Sequence, residues 1–113
     1  MKTLLLVISL FFAITAKAET NPLDLYVRTI YPAESKTVLD AARYLIEHTG
    51  YRIEVGSNAP SDARSIALAP IPPVADLRRT MSVKDALLVL IGTENYLVID
   101  KKHKLISFTG NKS

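Results

Sequence analysis

TMSVKDALLVLIGTENYLVIDKKHKLISF, residues 80–108, is the stretch whose reading decides the fold, because one run holds a helix start, a helix stop and two strands. Ser82 stands at an N-cap position and Asp85 follows at the third helical position. The hydroxyl can accept one of the amides left unpaired at a helix start, and the carboxylate can reach back. Val83, Ala86, Leu87, Leu90 and Ile91 then recur at the three and four spacing of one helical face, and Gly92 falls where a left-handed residue would release the chain. Beyond it, residues 96–100 and 105–108 are rich in β-branched and aromatic side chains, whereas Lys101, Lys102, His103 and Lys104 are too polar to bury. A short amphipathic helix followed by a hairpin is the expectation. Nothing in the run is catalytic by residue type.

Upstream, LYVRTIY (residues 25–31) favours a strand, ended by Pro32. A second amphipathic helix is expected after it, capped by Ser35, with Val38, Ala41, Ala42, Leu45 and Ile46 on one face and Gly50 closing the segment. YRIEV (residues 51–55) alternates as a strand with Tyr51, Ile53 and Val55 on one side, and residues 56–62 have loop composition. Residues 65–68 form a short apolar strand candidate. Pro70, Pro72 and Pro73 then remove backbone donors, which confines this region to a sheet edge or an extended linker, and residues 74–80 complete an edge strand. The expected order is β-α-β-β-α-β-β, an α+β two-helix sandwich.

The first residues have a different character. Lys2 is followed by an apolar run over residues 4–14, and Ala16 and Ala18 flank Lys17 as the small residues of a cleavage site. The run is shorter than the roughly 20 apolar residues a bilayer span needs, so it reads as a cleaved secretory signal rather than an anchor. The expected organisation is a signal over residues 1–18 with cleavage near Ala18, a flexible lead-in over 19–24, one α+β domain over 25–109 and a tail over 110–113. Export implies an oxidising compartment.

The 14 Lys plus Arg and 11 Asp plus Glu give a net charge of +3, but a signal carrying Lys2 and Lys17 leaves 12 against 11, about +1. Nucleic acid is therefore not an expected partner, since neither Arg78-Arg79 nor the basic turn at 101–104 is interleaved with aromatics or glycines. With no cysteine in the chain, stability must come from the core alone.

No catalytic, cofactor or metal site is expected. His48 and His103 are the sole histidines, and zinc sites need three or four convergent ligands. Ser57, Ser61, Ser65 and Ser82 sit at loop, strand-edge or cap positions, and the phosphate-loop, GxSxG and HExxH motifs are all absent from the sequence. Paired carboxylates, Asp40 with Glu47 and Asp85 with Glu94, have the spacing of solvent-facing helix residues. Arg78 and Arg79 could contact an anion, as paired guanidiniums recognise carboxylate or phosphate. Of the five tyrosines, Tyr44 and Tyr96 are assigned to the core.

AARYLIEHTGYRIEV (residues 41–55) together with residues 65–108 resembles the N-terminal periplasmic region of PilL proteins from conjugative elements. The likeness rests on Thr49-Gly50-Tyr51, Pro70, Ala86-Leu87, Leu90, Gly92 and Phe108, and covers nearly the whole of the chain after the signal. More distantly it is similar to the short N-terminal domain of secretins and TonB-dependent transducers and to TcpQ and DotD type accessory proteins. The resemblance implies two helices packed with short mixed sheets, and a non-enzymatic module of a conjugative or type IV pilus-like assembly. Its implied partner is a secretin or other channel component at the outer membrane, and a homo-oligomer within a ring is a further arrangement. Docking would use strand edges, with Ile66 and Leu68 or Leu105, Ile106 and Phe108 as the contacts. The alternative is a peptidoglycan- or small-ligand-binding envelope protein that grips carboxylates through Arg78 and Arg79.

Overall fold

The computed structural model describes residues 21–110, and the expected signal, cleavage site and most of the tail lie outside them. Five strands and three helices follow one another: β1 (Tyr26–Arg28), α1 (Val38–Ile46), β2 (Arg52–Ile53), α2 (Ala63–Ala67), β3 (Thr80–Ser82), α3 (Val83–Ile91), β4 (Asn95–Asp100) and β5 (Leu105–Gly110). Single turns of 3-10 helix at Pro22–Asp24 and Pro73–Asp76 are each led by proline, whose fixed φ suits a helix start. The architecture is α+β, and the strands divide into two small sheets.

Local sequence explains the two long helices. Ser82 Oγ accepts from the Asp85 amide at 3.1 Å, and α3 then buries Val83, Ala86, Leu87, Leu90 and Ile91. Gly92 ends it at φ +85°, ψ 166°, a conformation open almost only to glycine. At α1 the cap is Thr37, not Ser35. Thr37 Oγ1 accepts from the Asp40 amide at 3.2 Å and the Asp40 carboxylate accepts from the Thr37 amide, also at 3.2 Å. This reciprocal box satisfies two otherwise unpaired donors, which Ser35, two residues earlier, could not do. The stripe Val38, Ala41, Ala42, Leu45 and Ile46 is buried as its spacing requires.

The three-stranded sheet has the order β2-β5-β4 and is mixed, with β2 parallel and β4 antiparallel to β5. Ile53, Ile106 and Ile99 stand side by side across it, with Leu97 opposite Phe108 on the same face. Ile106 and Phe108 are completely buried against the helices. Ser107, which points the other way, is also buried, because the loop through Asn58, Ala59 and Pro60 folds over that face. Asp62 fixes the arrangement by accepting from Thr109 Oγ1 at 3.1 Å and from the Gly110 amide at 2.6 Å.

The second sheet is the antiparallel pair β1–β3, with Val27 opposite Met81. It is clipped at one end by Thr29, whose hydroxyl donates to the Arg79 carbonyl at 3.1 Å and accepts from the Arg79 amide at 2.8 Å. Between the sheets, the proline segment is tied to the start of α1 by Val38 N–H to the Ala69 carbonyl at 2.9 Å and a bridge between Thr37 and Pro70.

Two expected strands take other forms. Residues 65–68 belong to α2 and its C-cap, and Val74 to Asp76 lie in a 3-10 turn, so that β3 begins only at Thr80. The apolar residues of 63–67 are small and spaced so that Ala63 and Ala67 turn to the same buried face, one helical turn apart. A run this short has no periodicity of its own to separate strand from helix.

Candidate functional site

Two of the expected contact regions are closed. β5 is the central strand of its sheet, paired with β4 along its length and with β2 at Leu105 and Ile106, and Ile106 and Phe108 have no exposed surface to offer a partner. Leu105 is half-buried beside Arg52 and Asp100. Ile66 and Leu68 lie in and just after a helix, so they cannot add a strand either. Leu68 is exposed while Ile66 packs on the core. Arg78 and Arg79 are both exposed. Arg78 has φ +51° and the Arg79 backbone is held by Thr29, so the doublet forms the turn into β3. Tyr44 and Tyr96 are 42% and 53% exposed, which removes them from the core; Tyr51 is the tyrosine buried there.

One open edge lies along β1, as another does along β4, where Tyr96 and Val98 are exposed. Val83 N–H donates to the Leu25 carbonyl at 2.9 Å and Thr29 N–H to the Arg79 carbonyl at 2.8 Å, so Leu25, Val27 and Thr29 direct their backbone groups at β3. In an antiparallel ladder the intervening residues face the other way. Tyr26 and Arg28 therefore turn their backbone groups to the outer edge. The Arg28 carbonyl is taken by the Ile30 amide at 2.8 Å, which leaves the Tyr26 N–H and C=O and the Arg28 N–H facing outward.

Beside this edge lies a groove of about 360 Å³, walled by Leu25, Tyr26, Val27 and Arg28 on one side and by Tyr44, Glu47, His48 and Thr49 from the end of α1 on the other, with Leu45 and Val83 also lining it. Tyr26 is 73% exposed, Leu25 50% and Tyr44 42%, so three large side chains with apolar surface stand in solvent around the groove. The Tyr44 ring is held edge-on by Tyr31, with centroids 6.1 Å apart, so one wall of the groove is preset. Its charged groups are of mixed sign, Glu47 and Arg28. An extended segment laid here could add to the sheet through backbone bonds and drop alternate side chains into the groove.

The signal for this surface is present in the sequence as Asp24-Leu25-Tyr26-Val27-Arg28, where even and odd positions have opposite characters. It becomes legible only once β3 is known to occupy one side of the strand.

Elsewhere two carboxylates have structural partners. Asp100 accepts from the His103 ring at 2.8 Å and from the His103 amide at 3.1 Å, and these bonds hold its carboxyl below the usual carboxylate range. Asp40 is lowered in the same way by the backbone amides of Lys36 and Thr37. Burial, with a smaller contribution from Asp76, pushes the Tyr31 phenol up to about 12. Among the described residues, no group of three or more His, Cys, Asp or Glu side chains is placed to hold a metal ion, and no helix is long and apolar enough to cross a membrane. No protein-family model, curated protein or solved structure matches the chain.

Proposed function

We propose that this protein is a non-enzymatic interaction module, exported to the periplasm, which docks on a secretin or another envelope component of a conjugative or type IV pilus-like machine. The contact is the free edge of β1 with its groove, not the terminal strand. One observation carries this reading: an unpaired strand edge lies directly against an apolar groove, the two elements that strand addition requires. The resemblance of residues 41–55 and 65–108 to PilL N-terminal regions supports the choice of machine.

Tyr26→Pro tests the reading. The substitution removes the outward N–H, which β3 does not use, and proline is tolerated on an edge strand in that orientation. Leu25 has φ −66° and ψ 143°, a conformation a residue before proline readily adopts. The expected outcome is a folded protein, by circular dichroism, whose cells transfer DNA or assemble pili no better than a deletion strain. Normal transfer or piliation in the deletion strain would overturn the assignment to such a machine. Normal function in the folded Tyr26→Pro variant would overturn the edge as its contact.

A further inference from the structure

We infer that the outer face of the three-stranded sheet holds a binding site for a primary alkylammonium group, such as the end of a lysine side chain, between Glu54, Asp100 and Ser107. The site lies apart from the β1 edge and stands or falls without it.

The strands place these groups together. Ile106 and Phe108 turn to the helices, so Leu105 and Ser107 turn to the outer face, and their partners across the ladder, Asp100 and Val98, turn with them. Glu54 follows β2 and continues its alternation. Its amide donates to the Ile106 carbonyl at 2.8 Å, which sets it beside Ser107 on that same face. The central strand thus presents a hydroxyl with one carboxylate on each flank. The loop over residues 56–60 closes on them, leaving a pocket of about 140 Å³.

Each acceptor is prepared. Ser107 is only 6% exposed, and its buried Oγ has no hydrogen-bond partner among the described residues. Such a hydroxyl has given up water without replacing it, and few buried polar groups are left so. Glu54 Oε1 accepts from the Gly56 amide at 2.8 Å, and a Cβ at position 56 would lie only 2.9 Å from that oxygen. The loop therefore fixes the carboxylate while leaving Oε2 to a ligand. Asp100 is held from behind by the ring and amide of His103, which keep it ionised at neutral pH. A carboxylate has about four acceptor positions, so these two bonds leave others open.

Two negative charges around a hydroxyl require a cation that donates hydrogen bonds. A primary ammonium is a compact charge with three donors, one for each acceptor, whereas a guanidinium is a wide planar fork. Val98, Leu105, Ala59 and Pro60 give the pocket apolar walls, along which an alkyl stem can lie as lysine stems do on protein surfaces. The volume is below the roughly 300 Å³ at which pockets enclose whole drug-sized molecules, so the site grips the end of a chain. The protein's own neighbouring cations are directed elsewhere. Lys104 Nζ lies over the Tyr51 ring, 5.1 Å from its centroid, and Arg52 lines a separate pocket with Arg43 and Tyr51. Among the described residues, no lysine or arginine forms an ion pair with Glu54 or Asp100.

The test is an NMR titration of the isotope-labelled whole chain, purified as the cell processes it, with n-butylammonium, with Nα-acetyl-lysine N-methylamide and with uncharged n-butanol, all at one ionic strength. The Ser107 Oγ lies beneath the pocket surface, so a head that reaches it moves the loop. Saturable shifts of the Gly56, Val98 and Ser107 amides are expected with n-butylammonium and not with n-butanol. A matching response to the blocked lysine assigns the site to a side chain of a polypeptide, and its absence to a free amine. Glu54→Gln keeps the bond to Gly56 and removes the charge, and should weaken binding by about tenfold or more. Ser107→Ala should weaken it as well while being no less stable than the wild type, because the hydroxyl it removes has no partner. Circular dichroism confirms that both variants fold. The inference is overturned if n-butylammonium gives no saturable shift, if n-butanol moves the same amides equally, or if folded Glu54→Gln binds as tightly as the wild type.

Discussion

The two sheets of this small domain are built for different ends. In β2-β5-β4 the central strand is hydrogen-bonded on both sides and covered on both faces, by the helices over Ile106 and Phe108 and by the loop through Asn58 and Pro60 over Ser107. In β1–β3 there are only two short strands, each an edge of its sheet, and the outer face carries Tyr26 and Arg28 in solvent. The three-stranded sheet centres its apolar residues on the core and exposes Tyr96 and Val98 only on its outer strand, whereas the two-stranded sheet leaves Leu25, Tyr26 and the neighbouring Tyr44 outside the core. A domain of this size buries a smaller fraction of its surface than a larger one and has little apolar area to spare. Large side chains left exposed beside an unpaired edge are the feature on which the proposed contact rests.

Phe108→Ala breaks this contrast most severely. It empties the centre of the three-stranded sheet and should cost about 3 to 5 kcal/mol in denaturant unfolding, which a domain of this size would barely survive. Thr29→Val strikes the other sheet at its clip. It keeps the shape but leaves the Arg79 amide and carbonyl without the hydroxyl that serves both, for a loss of about 1 to 3 kcal/mol. Tyr26→Pro, which touches only the open edge, should stay within about 0.5 kcal/mol of the wild type while abolishing function. If its stability loss matched that of Thr29→Val, the outward orientation of the Tyr26 amide would be wrong.

How much of this could be read from the chain depends on how far apart the interacting residues lie. The helix from Val83 to Ile91, its Ser82 cap, its Gly92 stop and the hairpin after it are all fixed within about thirty consecutive residues, and the expected boundaries are close to the observed ones. The buried stripe of the first helix was equally plain, but its cap was assigned to Ser35, although Asp40 stands at the box position of Thr37 and not of Ser35. What stayed hidden were the long-range pairings. Tyr26 meets Ser82 across most of the domain, and nothing local in LYVRTIY tells which edge of that strand is taken. The same blindness hides that the last strand is central, because its parallel partner β2 and the covering loop arrive from residues 52–60. Residues 65–68 were misread for a simpler reason: four or five apolar and small residues fit either period.

The smallest effect expected concerns pH, and it lies beside the groove. The Tyr31 hydroxyl is buried and, among the described residues, without a hydrogen-bond partner, and its pKa rises from 10.0 to about 12. Because the folded state favours the neutral phenol, this contribution to stability is complete below about pH 10 and is lost as pH climbs from there to about 12. Tyr31→Phe keeps the ring against Tyr44 and removes the ionisation, so it should match the wild type at neutral pH and outlast it in alkali. A phenolate absorbance titration that shows every tyrosine ionising near pH 10 in the folded protein would remove the basis for this expectation.

The account's central claim, that the edge of β1 is where this protein meets another strand, is tested most directly by residue-resolved amide hydrogen exchange on the whole chain, alone and with the purified secretin of the same cell. The account predicts that the Tyr26 and Arg28 amides exchange freely in the protein alone and become protected in the complex, while those of residues 95–100 do not change. Tyr26 and Arg28 amides that exchange at one rate in both, or protection that develops along β4 instead, would contradict it.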